Sequence, residues 1–234
     1  MYVKISIYDT LSNHRGRERS WEEHMKRTRE AALDTREGIL DAAEHQFFER
    51  GVSRTTLEHI ARAAGVTRGA VYWHFRNKAE LFSAMMARVR MPLESSLHHL
   101  VETAITIDEL ERHCISSLVE LQHDARLRRV YTVLLLQCEY SADMQSLVER
   151  ERAVKEGISR SLARLFARLQ DTGQVLPVLP PRLLALGVYA YMLGLFTDYL
   201  RTPEQYRMPE DAEHLVGYFF AQLESASSRS GHEP

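Results

Sequence analysis

Cysteine is scarce in this chain. Cys114 and Cys138 are the only two among 234 residues. They form no Cys-x-x-Cys and no framework of paired spacings, so a disulfide scaffold is excluded and the two read as free thiols of a cytoplasmic protein. No apolar run reaches the roughly 18 residues of a spanning helix; the longest is Leu183 to Phe196. Met1 to Trp21 holds no apolar core of signal-peptide length. Neither sign of charge dominates, with 30 Lys/Arg against 32 Asp/Glu. Catalytic signatures are missing as well. There is no Gly-x-Ser-x-Gly elbow, no phosphate-cradling glycine loop and no His-Glu-x-x-His. His98-His99 and His113-Cys114 are adjacent pairs, whereas ligands on a helix need a spacing of three or four. An enzyme, a metal site and a cofactor therefore have no support, and the expectation is none of the three.

What is present is a soluble composition, 44% hydrophobic and 26% charged, with an uneven distribution of charge. Residues 25–78 carry ten Lys/Arg and seven Asp/Glu, so the remainder is acidic. A small basic head on an acidic body suits a nucleic-acid-binding unit attached to a unit with another task.

Periodicity gives helix after helix and no strand alternation. Met1 to about Arg27 shows no period and reads as a disordered arm or a misplaced start, with Met25 the natural first residue. The first helix is expected from Thr35 to Arg50, with Ile39, Leu40, Ala43 and Phe47 on one face and Gly51 as its stop. Thr55 or Thr56 caps a second helix through Ala64. Thr67 caps a third from Arg68 to Phe75, and Asn77 with Glu80 forms a capping box for a fourth, to about Arg90, before Pro92. Longer helices follow: Thr106 to Asp124, Leu127 to Tyr140, Ser141 or Asp143 to Asp171, Pro181 to before Pro203, and Pro209 to Leu223. The expected domains are 28–78, 79–225 and a disordered tail at 226–234.

The segment Thr55 to Phe75 has helix-turn-helix mechanics. Leu57, Ile60, Ala61 and Ala64 give one helix an inward face. Gly65 supplies the turn. Val66, Ala70, Val71 and Phe75 bury the next helix, leaving Arg68, Gly69, Tyr72, Trp73 and His74 outward. Exposed tyrosine and tryptophan side by side are expensive unless a partner covers them, and duplex DNA would do so. Gly69 costs about 1 kcal/mol of helix propensity, which makes sense where a backbone must approach a groove. Core aromatics of an ordinary helical domain are the plainer reading of Tyr72, Trp73 and Phe75 taken alone.

With these residues in place, Thr35 to Leu81 resembles the TetR family of repressors. The resemblance runs through Thr35-Arg36, Ile39-Leu40-Asp41-Ala42-Ala43, Phe47, Gly51, Thr55-Thr56, Ile60-Ala61, Ala64-Gly65-Val66, Tyr72-Trp73-His74-Phe75 and Lys78-Ala79-Glu80-Leu81. Gly-Val-Thr-Arg-Gly-Ala-Val-Tyr-Trp-His-Phe is particularly similar to the multidrug-efflux regulators of the AcrR and TtgR type. Cys138-Glu139-Tyr140 with Asp143-Met144 resembles a second stretch of that subgroup.

The resemblance implies an all-α fold, with a three-helix DNA-binding head and a helical ligand-binding and dimerisation body. It implies a homodimer that sets two recognition helices on successive major grooves of a pseudo-palindromic operator. Thr56, Thr67 and Lys78 stand at phosphate-contacting places. Arg68, Gly69, Tyr72, Trp73 and His74 lie on the recognition helix, with Arg68 the candidate for a guanine edge. A small hydrophobic inducer is the expected ligand, with candidate pocket residues Met85, Met86, Leu118, Leu121, Leu134, Cys138, Tyr189, Met192, Leu193 and Phe196. Glu139 or Asp198 is the expected partner of a cationic drug. The dimer is expected to use Leu183, Gly187, Tyr191, Gly194, Asp198, Val216 and Phe220. A repressor answering to a metabolite or acyl-CoA is the competing reading within the family. A helical interaction module that has lost DNA binding lies outside it.

Overall fold

The computed structural model describes residues 7–89, 106–138 and 145–223, with side chains described from residue 26 onward apart from 27 and 145–147. Every regular element among them is helical. The order is α1 (Ile7–Arg50), α2 (Leu57–Ala63), α3 (Arg68–His74), α4 (Lys78–Ala87), α5 (Ile107–His123), α6 (Ala125–Leu136), α7 (Gln145–Asp171), α8 (Pro181–Arg201) and α9 (Glu210–Ala221). A short 3-10 turn, Pro203–Gln205, separates the last two.

Helix starts follow side-chain chemistry. Asn77 accepts from the Glu80 amide at 2.8 Å. Thr106 accepts from the Glu109 amide while the Glu109 carboxylate accepts from the Thr106 amide at 2.7 Å, a complete capping box. Asp124 accepts from the amides of Arg126 and Leu127, so α6 starts two residues ahead of the Leu127 expected from its apolar pattern. It also stops sooner, with Gln137 as its C-cap.

The largest departure is at the N-terminus. α1 is already helical from Ile7, in the region expected to lack structure. Lys26, Arg29, Glu30, Leu33 and Asp34 are all exposed. The sequence of this stretch carries no apolar period to read, and no proline precedes Pro92 to stop a helix. The fourth helix ends at Ala87 with Arg88 as its C-cap, short of the expected Arg90, while the Pro92 break and the 226–234 tail lie outside the described residues.

Two apolar clusters organise the chain. One joins Ile39, Leu40, Ala43 and Phe47 of α1 to Ile60, Ala61, Val71 and Phe75, and takes in Ala79, Leu81, Phe82 and Met85 of α4 with Val130 and Val133 of α6. The rings of Phe47 and Phe82 lie 5.6 Å apart. The other gathers α5, α7, α8 and α9 around Leu118, Leu121, Leu162, Phe166, Val188, Met192, Val216 and Phe220. Each large apolar side chain so buried contributes about 1.5–3 kcal/mol. α8 is long and apolar enough to cross a membrane by length and composition alone. Its Leu184, Ala185, Val188, Met192 and Phe196 are instead buried in the second cluster.

Candidate nucleic-acid interface

The head presents one outward surface, built by short helices that cannot stand alone. α2 is capped by Thr56, whose hydroxyl oxygen accepts from the His59 amide at 3.2 Å. Thr55, the other candidate cap, is buried instead. Its hydroxyl lies 2.8 Å from the Gly51 carbonyl and 3.1 Å from that of Gln46, which fastens the corner between α1 and α2. At the end of α2, Gly65 has φ +68°. The Val66 amide donates to Ala61 at 3.0 Å and the Gly65 amide to Arg62 at 3.2 Å. This is a Schellman ending, and its left-handed residue favours glycine.

Thr67 caps α3, accepting from the Ala70 amide at 3.2 Å. Only Val71 of this seven-residue helix is buried, and Phe75 just beyond it is buried too. Arg68 and Gly69 are exposed, and Tyr72 and Trp73 remain 45% and 73% exposed. Both rings therefore face outward as expected, and a core role for them is ruled out. His74 is only half-buried, edge-on to Trp73 at 4.5 Å.

The outward residues are arranged before any partner arrives. The Arg68 guanidinium lies 5.3 Å over the Tyr72 ring, with Nη2 3.3 Å from its hydroxyl. That hydrogen bond raises the arginine's pKa further. Partial burial lowers the pKa of His74, with the charge of Arg36 adding to it, so the ring favours its neutral form. A Cβ built on Gly69 meets only Thr67 Oγ1, at an ordinary 3.8 Å. Nothing inside the protein demands glycine there. Thr56 and Thr67 use their oxygens as acceptors in capping, which leaves each hydroxyl proton available to an acceptor outside. Lys78 donates to the Val52 carbonyl at 3.0 Å, tying α4 to the corner after α1.

Sequence reasoning missed Arg36, whose guanidinium lies 5.2 Å over Phe75. Its signal was present in the Thr35-Arg36 pair. It also missed Arg62, exposed beside Glu58 at 3.5 Å on the outer side of α2.

The candidate effector residues fall into separate places. Leu118, Leu121, Met192 and Phe196 are buried in the body's cluster, with Tyr189 packed at its edge. Met85 is buried in the head's cluster, with Met86, Leu134 and Cys138 against it. Leu193 points away from both and is exposed on the outer face of α8, because it lies one residue past the inward Met192. Glu139 lies outside the described residues. Tyr131, absent from the sequence candidates, is buried and stacks on Phe196 at 6.1 Å.

The dimerisation candidates also divide. Val216 and Phe220 are fully buried within the protomer and cannot meet a partner; they are the inward stripe of α9. Leu183, Gly187 and Tyr191 are half-buried, the last donating to the Leu215 carbonyl at 2.8 Å. Gly194 and Asp198 are exposed, and Asp198 accepts from Tyr206 at 2.6 Å. Burial, with that hydrogen bond adding, pushes the Tyr206 phenol up to about 12. The exposed apolar face comprises Leu186, Ala190 and Leu193 of α8 with Leu215 and Tyr218 of α9.

Residues 39–85 match the family model of the bacterial regulatory proteins of the tetR family, and residues 106–225 that of the C-terminal region of MAATS-type transcriptional repressors. The HTH-type transcriptional regulator TtgR of Pseudomonas putida is 38% identical over 202 residues, covering 82% of this chain and 92% of its own. Among solved structures, NalD is the secondary repressor of the MexAB-OprM multidrug efflux pump in Pseudomonas aeruginosa. It is 40% identical with a TM-score of 0.78, over 84% of this chain and 99% of its own. A complex of SmeT with triclosan is 34% identical with a TM-score of 0.71, over 83% of this chain and 94% of its own. SmeT is the repressor of the Stenotrophomonas maltophilia multidrug efflux pump SmeDEF.

Proposed function

This chain belongs to the tetR family of bacterial regulatory proteins, and on that footing we propose that it is a ligand-responsive transcriptional repressor of a multidrug efflux-pump operon. The observation that carries the reading is the outward, pre-arranged face of α3. Arg68, Tyr72 and Trp73 stand exposed on a helix whose other side is sealed into the head. A surface of that composition fits a major groove, with Arg68 on a base edge and the hydroxyls of Thr56, Thr67 and Tyr72 on phosphates. The exposed glycine lets the backbone approach closely.

The exposed apolar face of α8 and α9 supports a homodimer, since Tyr218, 75% exposed, and its neighbours would otherwise lie against water. Two heads would then meet two half-sites. The buried Met, Leu and aromatic side chains around Met192 and Phe196 support a small hydrophobic inducer. Operator DNA and repressor would meet in the cytoplasm.

The test is a footprint of the full-length chain on the DNA upstream of its own gene and of any adjacent efflux operon, alone, with triclosan and with a long-chain acyl-CoA. A protected pseudo-palindrome that is released by triclosan supports the reading in full. Release by acyl-CoA and not by apolar aromatic compounds would move the chain to a metabolic operon. No protected site would overturn repression.

A further inference from the structure

The head and the body are joined by charge as well as by apolar packing. Glu37, Asp41 and Glu44 of α1 are four and three residues apart, so they share one face of that helix. Three arginines reach them from other elements. Arg88, which caps the end of α4, places Nη2 2.6 Å from Asp41 Oδ1 and Nε 3.2 Å from Glu37 Oε2. Arg126 of α6 places Nη2 2.7 Å from the same Asp41 oxygen and Nε 3.3 Å from Glu44 Oε2. Arg129, one turn on, donates from Nε to Glu44 Oε1 at 2.8 Å, with Nη2 2.6 Å from that oxygen. The Glu44 side chain is only 2% exposed. A carboxylate so buried is tolerated because it is paired, and drawing α6 away from α1 would leave it uncompensated.

α6 also faces both cores. Val130 and Val133 belong to the head's cluster, while Leu127 and Tyr131 belong to the body's, where Tyr131 stacks on Phe196. One helix thus touches the body's interior on one side and is clamped to the head on another.

We propose that this arginine–carboxylate clasp makes α6 a member shared by head and body. The two then open as one cooperative unit, and a displacement of the Tyr131–Phe196 contact passes to α1 and the recognition helix. The passage to DNA rests on the operator-binding reading above; the cooperative opening does not.

Hydrogen exchange of the full-length chain in rising urea, resolved peptide by peptide, tests the clasp. In the unaltered chain, α3 peptides (head) and α8 peptides (body) open at one urea concentration. In Asp41→Asn/Glu44→Gln, the α3 peptides open at lower urea while the α8 peptides keep their value. Arg126→Met/Arg129→Met gives the same split from the other side. A purely stabilising role would lower both sets together, and that result overturns the clasp. So does separate opening in the unaltered chain, which decides the matter even if the variants do not fold. A second arm tests transmission. Phe196→Ala weakens binding to the DNA upstream of the gene at least tenfold, but less than twofold in the Arg126→Met/Arg129→Met background. Equal losses in both backgrounds overturn transmission. A chain that binds no such DNA fails as a repressor while the exchange measurement still reads the clasp.

Discussion

At the scale of single residues, the outward face of α3 makes sharp predictions. Tyr72→Phe keeps the ring under Arg68 and loses the hydroxyl, so operator affinity should fall by about fivefold, the worth of one hydrogen bond of roughly 1 kcal/mol. Tyr72→Ala also removes the support for the guanidinium, and its loss should be larger by a further order of magnitude, with helical content unchanged. Fluorescence anisotropy on an operator duplex and far-UV circular dichroism check both. His74 predicts a pH effect. Its pKa is lowered in the folded chain by burial and Arg36. Its stabilising share is thus full above the ordinary histidine value and is lost as pH falls from there toward the lowered one. Urea midpoints measured between pH 7.5 and 5.5 should drop more for the unaltered chain than for His74→Gln. The two thiols behave alike for one reason. Burial pushes Cys114 up to about 12 and Cys138 up to about 11. Both stay protonated at neutral pH, and native protein should alkylate far more slowly with iodoacetamide than urea-unfolded protein.

At the scale of elements, Thr67 separates capping from DNA contact. Thr67→Ala removes the cap of α3, costing about 1 kcal/mol, and should lower both thermal stability and operator affinity. Thr67→Asp keeps the cap but sets a negative charge beside phosphate. Stability should hold while affinity collapses, as thermal melts and gel shifts will read. The same residues explain what could be foreseen. Caps at Asn77 and Thr106, the inward stripe of α2 and the outward stripe of α3 all followed from side-chain type and spacing, because each acts within one or two helical turns. The choice of Thr56 over Thr55 did not, since Thr55 bonds back to Gln46, nine residues away. Leu193 misled for a related reason. On an apolar helix every side looks buried, and only the position of its neighbours tells Met192, inside, from Leu193, outside.

At the scale of the whole molecule, the two heads of the proposed dimer should make operator binding steeply dependent on salt. With six to ten phosphates neutralised, affinity falls by about 10³–10⁵ between 50 and 200 mM salt, which a titration series measures directly. Gly194→Leu should push the proposed dimer toward monomer in analytical ultracentrifugation, because that exposed glycine lies beside Leu193 on the outer face of α8. In the protomer a Cβ there meets nothing within 4 Å, so a purely intramolecular site would tolerate the change. The joining of head to body was the least legible feature. Asp41 and Arg126 are 85 residues apart, and no local pattern announces that they meet. The N-terminal part of α1 was hidden for the opposite reason, since its sequence carries no apolar period to betray it. One property of α3 reaches furthest. Seven residues are too few to stay helical alone, so the shape of the reading surface is borrowed from the head beneath it, through Val71 and the cap at Thr67. On the proposed reading, the lettering at Arg68, Gly69, Tyr72 and Trp73 can therefore be rewritten while the frame stays intact, and retargeting this repressor to a new operator becomes a matter of surface substitutions, with no redesign of the fold.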